Sequence, residues 1–287
     1  MGYQHENLVV CGVDGSELSL RALAWAAEDA RPRGARLEVL TVYTPGDHDD
    51  AAHQGALSIA RDAARTVSGL EVTVSAEPGD AAGVLLERSK VARRIVVGTR
   101  GAGSGATNGV GRVARTVASR AYCTVVVIPP LDRSVLPIRH IIAGVDGSQA
   151  STYAYSVAVK EAASMGARLS AVDVVRIQAT GPLTGENVAR DILEDTRNEV
   201  ALKLSPFADA EGVEQEYHAI EGVPSKVLAK FSGAVDLIVV GTSGWGGIRG
   251  MILGSTASNL LDQARGPIMI VPRRADSNHY AGEEGAA

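Results

Sequence analysis

With 287 residues, 45% of them apolar and 21% charged, the chain has the make-up of a folded globular protein with room for two hydrophobic cores. A net charge of −5 with no concentrated Lys/Arg run argues against the phosphate-neutralising surface of a nucleic-acid binder. No apolar stretch reaches the roughly 18–20 residues of a membrane span, and the polar first residues lack a signal-peptide profile, so no membrane partner and a cytoplasmic setting are expected.

The first apolar run, Val9-Val10-Cys11-Gly12-Val13, ends in Asp14-Gly15-Ser16. Beyond it Leu20, Leu23, Ala24 and Ala27 recur with helical spacing, and Ser16 stands as N-cap. Pro32 and Gly34 are expected to stop that helix. Short Val/Ile/Leu runs then alternate with helical patterns, the signature of strands buried on both faces of a parallel sheet. The patterns predict strands over 38–42, 70–75, 94–98 and 124–128, with helices over 51–66, 81–90 and 112–121. Pro129, Pro130 and Pro137 bracket a polar link, which puts a boundary near residue 134.

The chain then begins again. Ile141-Ile142-Ala143-Gly144-Val145-Asp146-Gly147-Ser148 repeats the opening 132 positions on, and Gly166-Ala167-Arg168-Leu169 repeats Gly34-Ala35-Arg36-Leu37 at the same offset. Ile238-Val239-Val240-Gly241-Thr242 repeats Ile95-Val96-Val97-Gly98-Thr99 at an offset of 143, so the second copy gains 11 residues midway. A period this long marks a duplicated domain, because solenoid units repeat every 20–50 residues or so. The second copy predicts strands over 169–174, 213–220, 237–241 and 268–271, and helices over 186–204, 225–231 and 255–263. The domains are expected at 1–134 and 135–273, and the polar, Gly/Ala-rich remainder, 274–287, as a disordered tail.

Chemistry is expected where a strand ends in glycine. Gly241-Thr242-Ser243-Gly244 is followed by nine residues and then by Gly254-Ser255, which opens a helix. Glycine admits a phosphate close to the backbone, and a helix start offers unpaired N–H groups and a positive dipole end. The Ser255 hydroxyl can add a hydrogen bond to a phosphate or a ligand to Mg2+ carried by it. The protein alone shows no metal site, and His5, His48, His53, His140, His218 and His279 have no metal spacing. Cys11 and Cys123 lie in strand-like runs and suit buried thiols. Trp245 reads as an apolar loop anchor, Arg249 as a solvated loop arginine.

This spacing of glycine, two residues, glycine, nine residues, glycine then Ser or Thr resembles the ATP-binding branch of the universal stress protein family. The Gly-Val-Asp-Gly-Ser openings and the last strands ending at Pro129 and Pro272 carry the resemblance over almost the whole chain, twice. The resemblance implies α/β domains, each a doubly wound five-stranded parallel sheet in the order 3-2-1-4-5. It implies that Gly144, Asp146 and Val174 frame an adenine and ribose, and that Gly241, Gly244, Gly254, Ser255 and Thr256 hold phosphates. Its first-copy equivalents are Gly12, Asp14, Val42, Gly98, Gly101, Gly111, Arg112 and Val113. There Arg112 replaces the expected hydroxyl, and the loop 101–109 is polar and Gly-rich. Site one is therefore expected to bind ATP more weakly than site two.

The resemblance further implies a stress-response regulator whose nucleotide occupancy controls conformation or assembly. It also implies pairing of the last strands, between the two domains or in a homodimer. No Lys-Ser or Lys-Thr phosphate loop, His-x-Gly-His or Ser-Gly-Gly-x-Asp-Ser segment speaks for catalysis, which leaves a slow ATPase as the enzymatic alternative. A third reading is a non-nucleotide interaction module. Asp14 and Asp146 stand equally as turn residues and as ligand contacts.

Overall fold

A computed structural model describes residues 6–46, 49–102, 109–177, 186–210, 212–242 and 253–272. The first copy runs β1 (Glu6–Gly12), α1 (Glu17–Ala30), β2 (Arg36–Tyr43), α2 (Asp49–Ala64), β3 (Val72–Pro78), α3 (Ala81–Arg88), β4 (Ala92–Gly98), α4 (Arg112–Arg120) and β5 (Thr124–Ile128). The second runs β6 (His140–Val145), α5 (Gln149–Met165), β7 (Arg168–Val175), α6 (Glu186–Leu204), β8 (Gln215–Glu221), α7 (Pro224–Ser232), β9 (Leu237–Gly241), α8 (Ser255–Gln263) and β10 (Ile268–Val271). The expected tail, 274–287, lies outside the described residues.

The ten strands form one sheet in the order β3-β2-β1-β4-β5-β10-β9-β6-β7-β8. Each half has the expected order 3-2-1-4-5, and its strands pair in parallel. The halves meet where β5 and β10 pair antiparallel, with Met269 opposite Val126. Both edges of each last strand are thus taken within the chain, so a homodimer through them would have to break pairing already made.

Continuous apolar runs such as 125–128 and Ile268–Val271 are buried throughout because helices cover both faces. One apolar cluster, including Trp25, Val126, Tyr155 and Met269, runs beneath α1 and α5 across both halves. The other, including Leu85, Val117, Leu228 and Leu260, lies beneath α3, α4, α7 and α8. Cys11 and Cys123 are buried, unbonded thiols. Burial pushes the Cys123 thiol up to about 12 and raises that of Cys11 further, so neither is a thiolate at neutral pH.

The sequence misplaced some ends for local reasons. The edge strand β3 begins and ends later than expected because its lone partner β2 dictates its length, from Leu37 opposite Val72 to Tyr43 opposite Pro78. Gly34 does not cap α1 directly. That helix ends at Ala30, and a single 3-10 turn, Arg31–Arg33, carries Pro32 before Gly34 turns left-handed at φ 55°. In the second copy, with no proline there, Gly166 caps α5 itself at φ 62°.

A buried ion cluster crosses the seam. Arg94 on β4 contacts Asp29 on α1 and donates to Glu161 on α5 at 2.6 Å. Arg33 reaches Glu161 at 2.5 Å and Asp29 at 2.9 Å. All four side chains are at most 6% exposed. Burial disfavours ionising both acids, and it raises Asp29. Against the same burial, Arg94 and Arg33 hold Glu161 below its ordinary range.

Removing one member strands the others in low dielectric. Arg94→Met is expected to cost about 3–5 kcal/mol of stability. Asp62→Ala, which breaks the exposed Arg65–Asp62 pair, should cost less than about 1 kcal/mol. Urea unfolding of the two variants against the parent checks both, and equal costs would refute a structural role for the cluster.

Candidate functional site

In each half, β1 and β4, or β6 and β9, lie side by side with their connections leaving to opposite faces of the sheet. That is a topological switch point, where an open α/β sheet leaves a crevice beyond its strand ends. In the first half the crevice is a cavity of about 610 Å³ lined by all eight sequence-expected residues, Gly12, Asp14, Val42, Gly98, Gly101, Gly111, Arg112 and Val113. The volume falls within the roughly 300–1,000 Å³ of small-molecule sites.

Asp14 is tied into the turn before α1 and also lines the cavity. Its Oδ1 accepts from the Ser16 N–H at 3.0 Å and the Ser16 hydroxyl at 2.6 Å, tying the turn into α1. Its Oδ2 accepts from the Ala102 N–H at 2.6 Å, which holds the start of the loop after β4. Burial alone would raise this carboxyl, but the hydrogen bonds from Ser16, Ala102 and Ser19 hold it below its ordinary range. A Cβ on Gly101 would land on Asp14 Oδ2, so the close approach requires glycine. Gly98 serves packing, since a Cβ there would meet the Leu18 carbonyl oxygen at 3.0 Å.

The loop closes where the Gly111 N–H donates to the Thr99 carbonyl at 2.7 Å. Gly111 is then the N-cap of α4, with no side-chain cap on the helix, whereas Ser16 and Asp80 cap α1 and α3. The first N–H groups of α4 have no partner within the helix and no side-chain cap from Gly111. The cavity-lining Thr99 also has a buried Oγ1 without a hydrogen-bond partner. An anionic ligand with hydrogen-bonding groups suits these donors.

Arg112 does not point its charge freely into the cavity. It donates to Asp80 Oδ1 at 2.9 Å, both side chains being largely exposed. Asp80, whose Oδ2 accepts from the Gly83 N–H at 3.0 Å, is held below its ordinary range by that bond and by Arg112. The sequence reading missed Asp80. Its signal was pairwise: the second copy has Val223 at this position and Ser255 in place of Arg112, so acid and arginine come and go together.

The second half repeats the frame. A Cβ on Gly144 would meet Leu228 and Val240 at 3.0 and 3.1 Å, and one on Gly241 the Ala150 carbonyl at 3.1 Å. Asp146 Oδ1 accepts from the Ser148 N–H at 3.0 Å. Val174 is buried at the end of β7. The Gly254 N–H donates to the Thr242 carbonyl at 2.6 Å, and Gly254 is the N-cap of α8, without a side-chain cap, ahead of Ser255 and Thr256. Gly244, Trp245 and Arg249 lie outside the described residues. Among the described residues no cluster of His, Cys, Asp or Glu could hold a metal ion, and no helix is long and apolar enough to cross a membrane.

A duplicated, doubly wound α/β chain with a switch point in each half and a cavity at the first defines the class of protein. Residues 7–129 and 137–272 match the Universal stress protein family, and the chain belongs to it, in tandem two-domain form. It is 29% identical over 283 residues to a universal stress protein of Mycobacterium tuberculosis, covering 91% of this chain and 96% of the relative. It is 29% identical over 290 residues to one of Mycolicibacterium smegmatis, covering 93% and 97%. A universal stress protein structure from Archaeoglobus fulgidus superposes with a TM-score of 0.71 at 20% identity, over 94% of this chain and 97% of that one.

The second site also holds Asp173, beside Val174, which the sequence reading passed over. Burial and the Asp146 carboxylate push it up to about 6. A folded-state value above the ordinary 3.8 or so means that the folded chain binds this proton more tightly than the unfolded one. Its contribution therefore favours folding increasingly as pH falls from about 7 towards 4. Asp173→Asn should be more stable than the parent at pH 7.5, with the advantage vanishing near pH 4. Thermal unfolding across that range is the check, and a constant difference would contradict the assignment.

Proposed function

We propose that the protein is an ATP-binding stress-response regulator, with a nucleotide site in each domain, the domains lying at 1–134 and 135–273. The observation that carries this reading is the single cavity that gathers Gly12, Asp14, Gly98, Gly101, Gly111 and Arg112 at the uncapped start of α4. In this reading Gly12, Asp14 and Val42 frame the adenine and ribose, and Gly144, Asp146 and Val174 do the same in the second domain. The phosphates lie against the N-termini of α4 and α8, where backbone N–H groups and the helix dipole favour negative charge. At α8, Ser255 and Thr256 add hydroxyls, and Ser255 is placed to share Mg2+ carried by the phosphates. Occupancy then stabilises the conformation or assembly that closes around the ligand.

The same reading explains Arg112. A phosphate at the start of α4 would face the Asp80 carboxylate, and the arginine neutralises that acid. The second site, with Val223 and Ser255, has neither charge to balance. Site one therefore binds through a compensated acid and a glycine-rich loop, and site two binds more tightly.

Calorimetric titration with Mg-ATP is expected to find two sites per chain. Gly101→Val, whose side chain displaces Asp14, should abolish site one, and Gly254→Val site two. Arg112→Ser should weaken site one by up to about fivefold, the range of an exposed ion pair, and Asp80→Asn should not. Absence of any adenine nucleotide binding by the parent chain would end this reading. ADP formation over many turnovers would favour the alternative of a slow ATPase.

A further inference from the structure

The other domain supplies an anchor to the end of the loop of site one. α4 and α8 face each other across the β5–β10 seam, with Arg115 donating to Ser258 Oγ at 3.0 Å. These two residues occupy equivalent positions in the two copies, as do Ser119 and Asp262. Arg115 also donates to Asp262 Oδ1 at 2.5 Å, and the same oxygen accepts from the Val110 backbone N–H at 3.1 Å. Val110 sits between Gly109, at φ 100°, and the helix-capping Gly111. A Cβ on Gly109 would lie 3.0 Å from that same Asp262 oxygen, so the chain approaches the carboxylate closely where glycine allows it. Val110, Gly111 and Arg112 line the cavity.

Among the described residues the contact is one-sided. Ser119, the counterpart of Asp262, donates to the Thr116 carbonyl of its own helix at 3.0 Å. Leu253, the counterpart of Val110, packs against the apolar cluster beneath α8. A carboxylate from the second domain thus reaches the backbone of the first domain's loop end, where its bond to Arg115 fixes it in place. Arg115 and the Val110 N–H together hold the Asp262 carboxyl, against partial burial, below its ordinary range, so it is charged at neutral pH.

We propose that site one is a composite site: Asp262 of the second domain is a positioning residue that orders Gly109 to Gly111, so that the start of α4 is set for a nucleotide phosphate before the ligand arrives. The proposal rests on the nucleotide reading of that site. Pre-ordering the loop removes an entropic cost that binding would otherwise bear, and it ties the ligand affinity of the first domain to the docking of the second.

The test uses the full-length chain with Asp262→Ala and Asp262→Asn. In nucleotide-free protein, the Val110 amide should exchange with solvent deuterium about tenfold faster in Asp262→Ala, the loss of one charge-assisted bond. Asp262→Asn, whose amide oxygen can still accept from Val110, should recover part of that protection. In a Gly254→Val background, where site one alone is titrated with Mg-ATP, Asp262→Ala should weaken binding by a similar factor. In an Arg112-containing, Gly101→Val background, site two should be unchanged. Unaltered exchange at Val110 overturns the proposal whether or not nucleotide binds. Faster exchange with unaltered site-one affinity overturns it as well. Failure of the parent chain to bind nucleotide defeats the functional reading separately, and the exchange result then still decides whether Asp262 orders the loop.

Discussion

Two acids and two arginines, closed off from water, lie across the join between the halves of this molecule, and their arrangement bears on which halves can meet. Asp29 and Glu161 are equivalent positions of the duplication, but the equivalents of Arg33 and Arg94 are Met165 and Leu237. Two first domains facing across this seam would bury four arginines against two aspartates. Two second domains would bury two glutamates without a cation. One of each gives a neutral cluster in which every acid meets arginine. Because an uncompensated buried charge costs far more than a compensated pair returns, the cluster acts chiefly as a selector of partner and register. The β5–β10 ladder, by itself a generic exchange of backbone hydrogen bonds, acquires its specificity from these side chains.

That seam places more than the cores. It sets α4 beside α8, the helices capped by Gly111 and Gly254, and the start of α4 lines the cavity of the first half. The crevices are built by close approach: Gly101 admits the Asp14 carboxylate, and Gly98 and Gly241 lie under the backbone of α1 and α5. A side chain at any of these positions would push apart the strand end, the turn and the loop that together make the cavity wall. These glycines are therefore parts of a tight joint.

The two copies have diverged by matched exchanges. Arg112 with Asp80 stands where the second copy has Ser255 with Val223, and Asp173 stands where the first has Thr41. Each exchange moves charge around a shared frame without altering the path of the backbone. Charge near the strand ends thus differs between the halves, negative and compensated in one, and in the other dependent on the proton of Asp173.

Much of this was legible in the chain itself. Repetition at offsets of 132 and 143 established a duplicated domain, and runs of buried apolar residues between helical periods established parallel β-α units, because side-chain periodicity follows from local backbone geometry. The glycine spacing identified the crevice-lining positions of the first copy, since close backbone approach leaves a mark in residue type. What one sequence could not disclose were contacts between distant segments. Glu161 with Arg94, Asp80 with Arg112 and Asp262 with Val110 join residues 67, 32 and 152 positions apart. No local pattern distinguishes these acids from solvated surface residues. Their roles exist because the antiparallel seam brings one domain's helices onto the other's, and that docking is decided by tertiary packing and charge balance.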